Sequence, residues 1–189
     1  ILDYKVGNLA SLKGALEKIG YRVIVGQKEA DLVTVDAVFL PGVGSFPYAM
    51  DNLRSSGMDK FIEKRFVAED LPFIGICLGM QILFETSEEG DREGLGLLEG
   101  KVKRLRDKEC HVGWNLVDFR NADSPDVRSA FYFNHSYRVD CAPDIVVATA
   151  NYQSEFAVIA TCKKFTGVQF HPEKSQKVGA SLLHRLIGD

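Results

Sequence analysis

The sequence predicts an α/β fold: an open, mostly parallel sheet flanked by helices, with a small antiparallel β addition. Two observations carry this prediction. In the first half of the chain, short apolar runs rich in β-formers alternate with segments whose apolar residues recur at helical spacing, as in a parallel sheet with crossover helices. After Lys101 the pattern changes to short β-like pieces separated by turns, which indicates added antiparallel strands. We expect one domain over residues 1–189.

The composition limits the class of protein. Apolar residues make up 46% and charged residues 26% of the chain, as in ordinary globular proteins. A net charge of −3 gives no sign of a nucleic-acid or membrane partner, and no apolar run approaches the roughly 18 residues of a membrane span. Four cysteines are widely spaced, without a CxxC pair, so we expect no metal site, no cofactor and a reduced, cytoplasmic location.

The first half is expected to hold three strands and three helices before the central motif. Ile1 and Leu2 resemble the end of a first strand, which suggests that a few residues precede them. Asn8 is a plausible N-cap for a helix that Gly20 ends. The other predicted elements are strands at 21–25 and 36–40 and helices at about 48–54 and 58–67.

A single cysteine stands between an apolar run and a helical pattern. Residues 71–76 lead into Cys77, and the helix after it is predicted to end near Glu85. Gly75 and Gly79 lie two residues either side, which is typical of a nucleophile elbow, where a Cβ would clash in the tight turn. Such a turn places the sulfur at a helix N-terminus and aims the Leu78 N–H at an oxyanion. The alternative is a buried structural cysteine.

The third strand ends in a glycine-rich loop, Pro41-Gly42-Val43-Gly44-Ser45-Phe46. Ligands of open α/β sheets bind at the carboxyl ends of strands, and glycines let the backbone approach a ligand closely. The loop is therefore a candidate for a second oxyanion N–H group, from Val43 or Gly44. The alternative is an ordinary turn. A phosphate-binding loop is disfavoured, because neither G-x-G-x-x-G nor Lys-Ser/Thr follows.

The second half is predicted to be rich in strands. A charged surface loop at 87–93 precedes apolar residues that return to the core at 94–98. The predicted strands that follow lie at 101–105, 115–119, 130–137, 145–150, 155–162 and 167–170. An amphipathic helix begins at Gln176 and carries apolar residues at 178, 182, 183, 186 and 187.

A cysteine nucleophile needs a base and a group that orients the base. Of the four histidines, His184 is expected on the exposed side of the last helix, and His111 and His135 in the β-rich part. His171 follows an apolar strand, where catalytic groups gather, and Glu173 follows two residues later. Its carboxylate would fix the imidazole tautomer and stabilise imidazolium. The alternative is a loop that caps the last helix.

Four motifs occur in order: the Pro41–Phe46 loop, the Gly75–Gln81 elbow, Gly113-Trp114-Asn115, and Phe170-His171-Pro172-Glu173-Lys174-Ser175. Over essentially the whole chain they resemble the triad-type, class I glutamine amidotransferases. Within these, the chain resembles the glutaminase subunits of imidazole glycerol phosphate synthase in histidine biosynthesis. The resemblance implies a flavodoxin-like sheet and hydrolysis of glutamine by Cys77, His171 and Glu173.

The resemblance also implies roles for residues outside the triad and a partner. Leu78 and a loop N–H at Val43 or Gly44 would hold the oxyanion. The ammonia would pass into a (β/α)8-barrel cyclase, which switches on a subunit that is nearly inactive alone, with the Gly42–Gly44 loop as the switch. Glutamine would be bound by Gln81, His135, Ser136 and Tyr137. The partner face would include Asn8, Trp114, Tyr132 and Lys174, for which the alternatives are a core aromatic at Trp114 and a solvated charge at Lys174.

Two other functions remain open. The same motifs would serve a paralogous glutaminase that supplies ammonia to a different synthase, for example one that amidates a sugar. A noncatalytic sensor domain of the DJ-1-like kind also carries an elbow cysteine, although it has no need of a base oriented by Glu173. The identity of a copurified partner distinguishes the paralogue from a subunit of imidazole glycerol phosphate synthase, and the activity of a Cys77→Ser variant tests the sensor alternative.

Overall fold

The computed structural model describes residues 1–66, 71–106, 110–120 and 128–188, without the side chains of residues 65 and 66. Within these residues, eleven strands form one sheet. Eight of them follow the order β1-β2-β11-β10-β8-β5-β3-β4, and the other three join through β9, which pairs with β10. The helices are α1 (Leu9–Lys18), α2 (Phe46–Ser55), α3 (Met58–Phe66), α4 (Leu78–Ile82) and α5 (Gln176–Ile187). The strands are β1 (Val38–Gly42), β2 (Phe73–Cys77), β3 (Phe84–Ser87), β4 (Arg92–Glu93), β5 (Leu98–Arg104), β6 (His111–Phe119), β7 (Arg128–His135), β8 (Tyr137–Asp140), β9 (Val146–Tyr152), β10 (Ser154–Cys162) and β11 (Phe165–Val168).

The centre of the fold is a parallel group of three strands, with β2 between β1 and β11. Helices cover both faces. Phe39, Ile74 and Ile76 pack with α1 and α5, whereas Val38 and Leu40 pack on the other side with α2, α3 and α4. This alternation follows from the period of two along a strand, since successive side chains point to opposite faces. The predicted α/β fold with flanking helices is confirmed.

The register of these strands places the functional segments at one edge. Gly42, the last residue of β1, pairs with Cys77, the last residue of β2. Val168, at the end of β11, pairs with Ile76, so the chain that continues to His171 leaves the sheet beside the cysteine. The glycine loop, the elbow and the His171 segment therefore meet at the carboxyl edge, as expected for an open α/β sheet.

The antiparallel part continues the same sheet through β10, which pairs with β11, β8 and β9. Strand β6 lies between β7 and β9, and this group buries its own apolar cluster, which includes Phe131, Phe133 and Phe170. The structure contains three strands that the sequence pattern does not separate, β3, β4 and β8. The predicted strand at 130–137 is divided at Ser136, which lies between β7 and β8.

Two predicted elements are wrong. Residues 21–25 form no strand, and the ladder pairing beside them is limited to a parallel bridge between Leu2 and Gly26. The helix after Cys77 ends at Ile82 rather than near Glu85. Residues from Phe84 onward pair with β5, and this tertiary pairing overrides the helical spacing.

The other helices agree with their predicted positions within a few residues. Asn8 is the N-cap of α1, and its side chain accepts a hydrogen bond from the Ser11 N–H at 3.3 Å. Helix α5 spans the predicted amphipathic segment and buries Leu182 and Leu183. The predicted end of α3 at Val67 lies outside the described residues. No helix in the described ranges is long and apolar enough to cross a membrane.

Candidate active site

Cys77 occupies a strained turn between β2 and α4. Its backbone has φ +56° and ψ −111°, a conformation that costs a non-glycine residue on the order of 1–3 kcal/mol and that is concentrated at functional sites. The side chain is buried, and it borders a cleft of about 230 Å³. This is the geometry expected of a nucleophile elbow.

The two glycines of the elbow are needed for close packing. A Cβ at Gly75 would lie 2.5 Å from the carbonyl oxygen of Gly79, and a Cβ at Gly79 would overlap the carbonyl oxygen of Leu40. Neither clash could be relieved by rotating a side chain, because both oxygens are backbone atoms. The tight turn that presents Cys77 therefore depends on glycine at both positions.

His171 and Glu173 form a buried pair beside the elbow. Nδ1 of His171 lies 2.8 Å from Oε1 of Glu173, and the two side chains are 3% and 5% exposed. The histidine backbone is fixed as well: its N–H donates to Tyr132 O at 2.8 Å, and its carbonyl accepts from the Ser175 hydroxyl at 2.6 Å. The imidazole is thereby held in one orientation, with Nε2 on the side away from Glu173.

The charge state of His171 is set by its neighbours. Burial alone would lower the pKa of His171, but the Cys77 and Glu173 side chains outweigh it and raise the pKa to about 10. Nε2 of His171 is buried and has no hydrogen-bond partner within the described ranges. Cys77 therefore raises the pKa of His171 by its proximity, without a well-formed hydrogen bond to Nε2. The thiol is 3.7 Å from Asn134 O, and Nε2 of Gln169 is 4.0 Å from Sγ. A cysteine beside an imidazolium is suited to nucleophilic attack.

The cleft brings most of the predicted site residues together. Its lining includes the loop residues Val43 and Gly44, the elbow residues Cys77 and Leu78, and four predicted substrate-binding residues, Gln81, His135, Ser136 and Tyr137. It also includes three residues that the sequence analysis does not assign to the site, Glu89, Cys110 and Asn134. Among the residues that the structure describes, no group of three or more His, Cys, Asp or Glu side chains could hold a metal ion.

Gln81 is oriented by two acceptors. Its Nε2 donates to Tyr137 O at 2.9 Å and to Gln169 Oε1 at 3.2 Å. The amide nitrogen is therefore occupied on the protein side, and the side-chain oxygen is the group that remains to accept a hydrogen bond from a molecule in the cleft.

His111 and His135 form a buried chain of hydrogen bonds behind the cleft. Nδ1 of His135 lies 2.8 Å from Tyr137 O, so it carries the proton and Nε2 is an acceptor. That Nε2 lies 3.0 Å from Nδ1 of His111, whose own Nε2 accepts from Asn115 at 3.2 Å. Burial lowers the pKa of His111 to about 4 and that of His135 to about 3, which keeps both rings neutral. His111 is the residue of this chain that sequence reasoning missed, because its pairing with His135 depends on the β6–β7 register.

Glu89 is the carboxylate of the cleft. It belongs to the predicted surface loop at 87–93, of which residues 88–91 form the turn between β3 and β4. This turn contacts the start of α2. Its Oε2 accepts from the Phe46 N–H at 2.9 Å, and its own N–H donates to the Ser87 hydroxyl at 3.1 Å. Among the described residues that line the cleft, Glu89 is the only carboxylate. Its charged loop gave no local signal, because the contact with α2 spans 43 residues.

Three of the four predicted partner-face residues lie together on the surface. Trp114 is 51% exposed and contacts the Tyr132 ring edge-to-face at 6.2 Å, and Nζ of Lys174 lies 5.6 Å from the centroid of the same ring. The alternative of a core aromatic at Trp114 is wrong. The fourth, Asn8, is the N-cap of α1.

Comparison with known proteins relates this geometry to a family. The family model described as Glutamine amidotransferase class-I matches residues 1–187. The Imidazole glycerol phosphate synthase subunit HisH of Bacillus velezensis is 42% identical to the chain over 197 residues, which cover 97% of the chain and 92% of that protein. The HisH subunit of Halalkalibacterium halodurans is 43% identical with the same coverage, and that of Acaryochloris marina is 40% identical over 99% of the chain and 92% of its own length.

Solved structures show the same fold at low sequence identity. A crystal structure of a glutamine amidotransferase superposes with a TM-score of 0.77 at 20% identity, covering 100% of the chain and 98% of the other protein. PurLQS from Thermotoga maritima gives a TM-score of 0.68 at 19% identity, covering 99% of the chain and 89% of the other chain.

Proposed function

Because the chain belongs to the class I glutamine amidotransferase family, we propose that it hydrolyses glutamine through Cys77, His171 and Glu173. We further propose that the ammonia passes to a (β/α)8-barrel cyclase partner, as part of imidazole glycerol phosphate synthase in histidine biosynthesis. The whole chain would act as one amidotransferase unit, since the family model matches residues 1–187. The observation that carries the proposal is the buried His171–Glu173 pair beside the strained elbow cysteine; Cys77 lines the cleft, and the pair lies behind it.

The cleft fits the polar groups of glutamine. The α-ammonium group would be paired with the Glu89 carboxylate and with the side-chain oxygen of Gln81, whose amide nitrogen is held by Tyr137 and Gln169. A charged hydrogen bond of this kind is stronger than a neutral one. The β7–β8 segment His135-Ser136-Tyr137 would form the facing wall, so that the γ-carboxamide points at Cys77.

The chemical steps follow from the positions of the side chains. The Cys77 thiolate attacks the γ-carboxamide carbon, and the negative charge that develops on oxygen is stabilised by the Leu78 N–H and by an N–H of Val43 or Gly44. Imidazolium at His171 gives its Nε2 proton to the departing nitrogen, so the C–N bond breaks and ammonia leaves. Glu173 stabilises the imidazolium before this transfer and again when it re-forms. His171 then takes a proton from water, which hydrolyses the glutamyl thioester and releases glutamate and the thiolate.

The outer face of β6 supports the partner proposal. Every second residue of this strand from Val112 to Leu116 is apolar and exposed: Val112, Trp114 and Leu116 are 57%, 51% and 43% exposed. Single exposed apolar residues are normal on a protein surface, whereas a continuous apolar stripe such as this one indicates an interaction site. Lys174 and Tyr132 border it, and Lys174 follows Glu173 directly in the chain. A cyclase docked here would cover the surface next to the triad. All four cysteines are free thiols, in keeping with the proposed cytoplasmic location.

Glutamine turnover is the test, measured with and without a (β/α)8-barrel cyclase of histidine biosynthesis and its nucleotide ligand. We expect strong activation when both are added, and a loss of at least a thousandfold in kcat for Cys77→Ser, since the nucleophile is removed. Cys162→Ser, which lies on β10 outside the cleft, is the matched control and should keep full activity. Turnover that ignores the cyclase would keep the chemistry and point to a different synthase. Turnover retained by Cys77→Ser would refute the mechanism.

A further inference from the structure

Tyr4 connects the start of the chain to the glycine loop. Its side chain is 3% exposed, and its hydroxyl donates a hydrogen bond to Pro41 O at 2.8 Å. Pro41 is the second-last residue of β1, directly before Gly42, Val43 and Gly44. The hydroxyl therefore holds the point from which this loop leaves the sheet.

The same hydroxyl packs against Gly42. A Cβ at Gly42 would lie 2.6 Å from the Tyr4 oxygen, 2.9 Å from Leu78 Cβ and 3.0 Å from the Gly79 N atom. The Tyr4 hydroxyl and the first turn of the nucleophile helix thus converge on the space where a Cβ of Gly42 would lie. This close packing holds Gly42 next to the residue that carries the Leu78 N–H.

Backbone geometry turns this contact into a constraint on the loop. A peptide unit is planar, so holding the Pro41 oxygen fixes the orientation of the whole Pro41–Gly42 peptide. Rearrangement of the loop can then begin only at the φ and ψ rotations of Gly42. Beyond it, Gly44 has φ +105° and open space around its Cα, and both Val43 and Gly44 line the cleft. The loop is anchored at Pro41 by Tyr4 and at Phe46 by Glu89, and Val43 and Gly44 lie between these two points.

The anchor does not depend on pH in the working range of an enzyme. Burial and the nearby Cys77 raise the pKa of Tyr4 well above its usual value. The hydroxyl consequently stays protonated and remains a donor to Pro41.

We propose that Tyr4 is a positioning residue for oxyanion stabilisation: its hydroxyl anchors the Pro41–Gly42 peptide and so fixes, beside Cys77, the point from which the N–H groups of Val43 and Gly44 are presented. The inference rests on the proposed glutaminase function. Tyr4 touches neither substrate nor sulfur in this role. It acts through the loop, and its contribution appears only when negative charge develops on the substrate oxygen.

The test is Tyr4→Phe, with Tyr21→Phe as the matched control. Both substitutions remove one hydrogen-bonded hydroxyl, and the Tyr21 hydroxyl lies 2.6 Å from Nδ1 of His184, far from the cleft. Steady-state glutamine turnover is measured in the complex with the cyclase and its ligand. Removing a whole oxyanion donor costs about 10²–10³ in kcat, so misplacing one should cost about tenfold. We expect that fall in kcat for Tyr4→Phe, KM within about twofold of wild type, and no change for Tyr21→Phe.

A second measurement separates positioning from a general loss of structure. A glutamine analogue with a γ-aldehyde forms a tetrahedral adduct with Cys77, and its affinity should fall about as much as kcat, because both report on the oxyanion. Unchanged kcat and aldehyde affinity in Tyr4→Phe would overturn the inference. A parallel rise in KM and a fall in thermal midpoint beyond that of Tyr21→Phe would overturn it too. Absent turnover in wild type would instead refute the proposed function.

Discussion

Glu89 offers a sharp test of substrate recognition by the cleft. The substitution Glu89→Gln removes the charge and keeps the volume of the side chain. It also keeps an oxygen that can accept from the Phe46 N–H, which in the wild-type structure donates to Glu89 Oε2 at 2.9 Å. The hydrogen bond between the Glu89 N–H and the Ser87 hydroxyl, at 3.1 Å, involves the backbone and is retained. The turn between β3 and β4 should therefore keep its conformation, and the change is confined to one negative charge in the cleft.

The expected effect follows from the number of charges that face the substrate. Glu89 is the only carboxylate among the described residues that line the cleft, so nothing there replaces it as a partner for the α-ammonium group of glutamine. A hydrogen bond to a charged group contributes about 1.5–3 kcal/mol. At about 1.4 kcal/mol for each factor of ten, KM should rise by about 10- to 100-fold. The reacting γ-carbon lies at the other end of the substrate, so kcat should stay within about threefold.

Glu88→Gln is the matched control. Glu88 is the preceding residue, carries the same charge and is exposed, and its Oε2 accepts from the Arg104 N–H at 2.8 Å outside the cleft. Its KM should equal that of wild type in a steady-state glutaminase assay with the cyclase present. If both variants show the same KM, or if Glu89→Gln lowers kcat and leaves KM unchanged, the assignment of Glu89 to the α-ammonium group is wrong.

Two further predictions concern pH and the partner. The pKa values of His111 and His135 are lowered to about 4 and about 3, so below pH 6.5 these histidines bind protons in the unfolded chain but not in the native state. The free energy of unfolding, measured with urea, should therefore fall as the pH drops from 6.5 towards those values. The free energy of unfolding should fall less steeply with pH in His111→Phe than in wild type, and equal slopes in the two proteins would contradict this prediction. Trp114→Ala should weaken cyclase binding by about 30-fold or more in a calorimetric titration, as for a central aromatic anchor, whereas the similarly exposed Val33→Ala should not.

Local patterns in the sequence were sufficient for the parts of the site that are close in the chain. The elbow is predictable because its strand, cysteine and two glycines span only a few residues, and the strained conformation of Cys77 follows from them. The same holds for His171 and Glu173, whose 2.8 Å contact joins residues two apart. That these segments meet at one edge follows from the parallel α/β pattern, and the structure agrees with that expectation.

Contacts made over long separations gave no such signal. Glu89 reaches the cleft because the β3–β4 turn docks on the start of α2, and the charges around it are those of any exposed loop. His111 meets His135 through strand register, which a shift of one residue would abolish. The helical spacing after Ile82 misled for the same reason, since pairing with β5 decides the conformation there.

The strain at Cys77 has to be held by the surrounding structure. A conformation that costs on the order of 1–3 kcal/mol persists only where neighbouring contacts leave no alternative, and here they come from three strands. Gly79 lies directly against the carbonyl of Leu40 on β1, Gly75 lies beneath the first turn of α4, and Gly167 on β11 makes room for Met80. Because other atoms pack directly against each glycine, the turn has no space into which it could relax, and the elbow cannot flatten without displacing β1 or β11. The same close packing that keeps the sulfur at the cleft also fixes Gly42 beside it, so the nucleophile and the start of the loop belong to one rigid unit, while Val43 and Gly44 remain the part that can move.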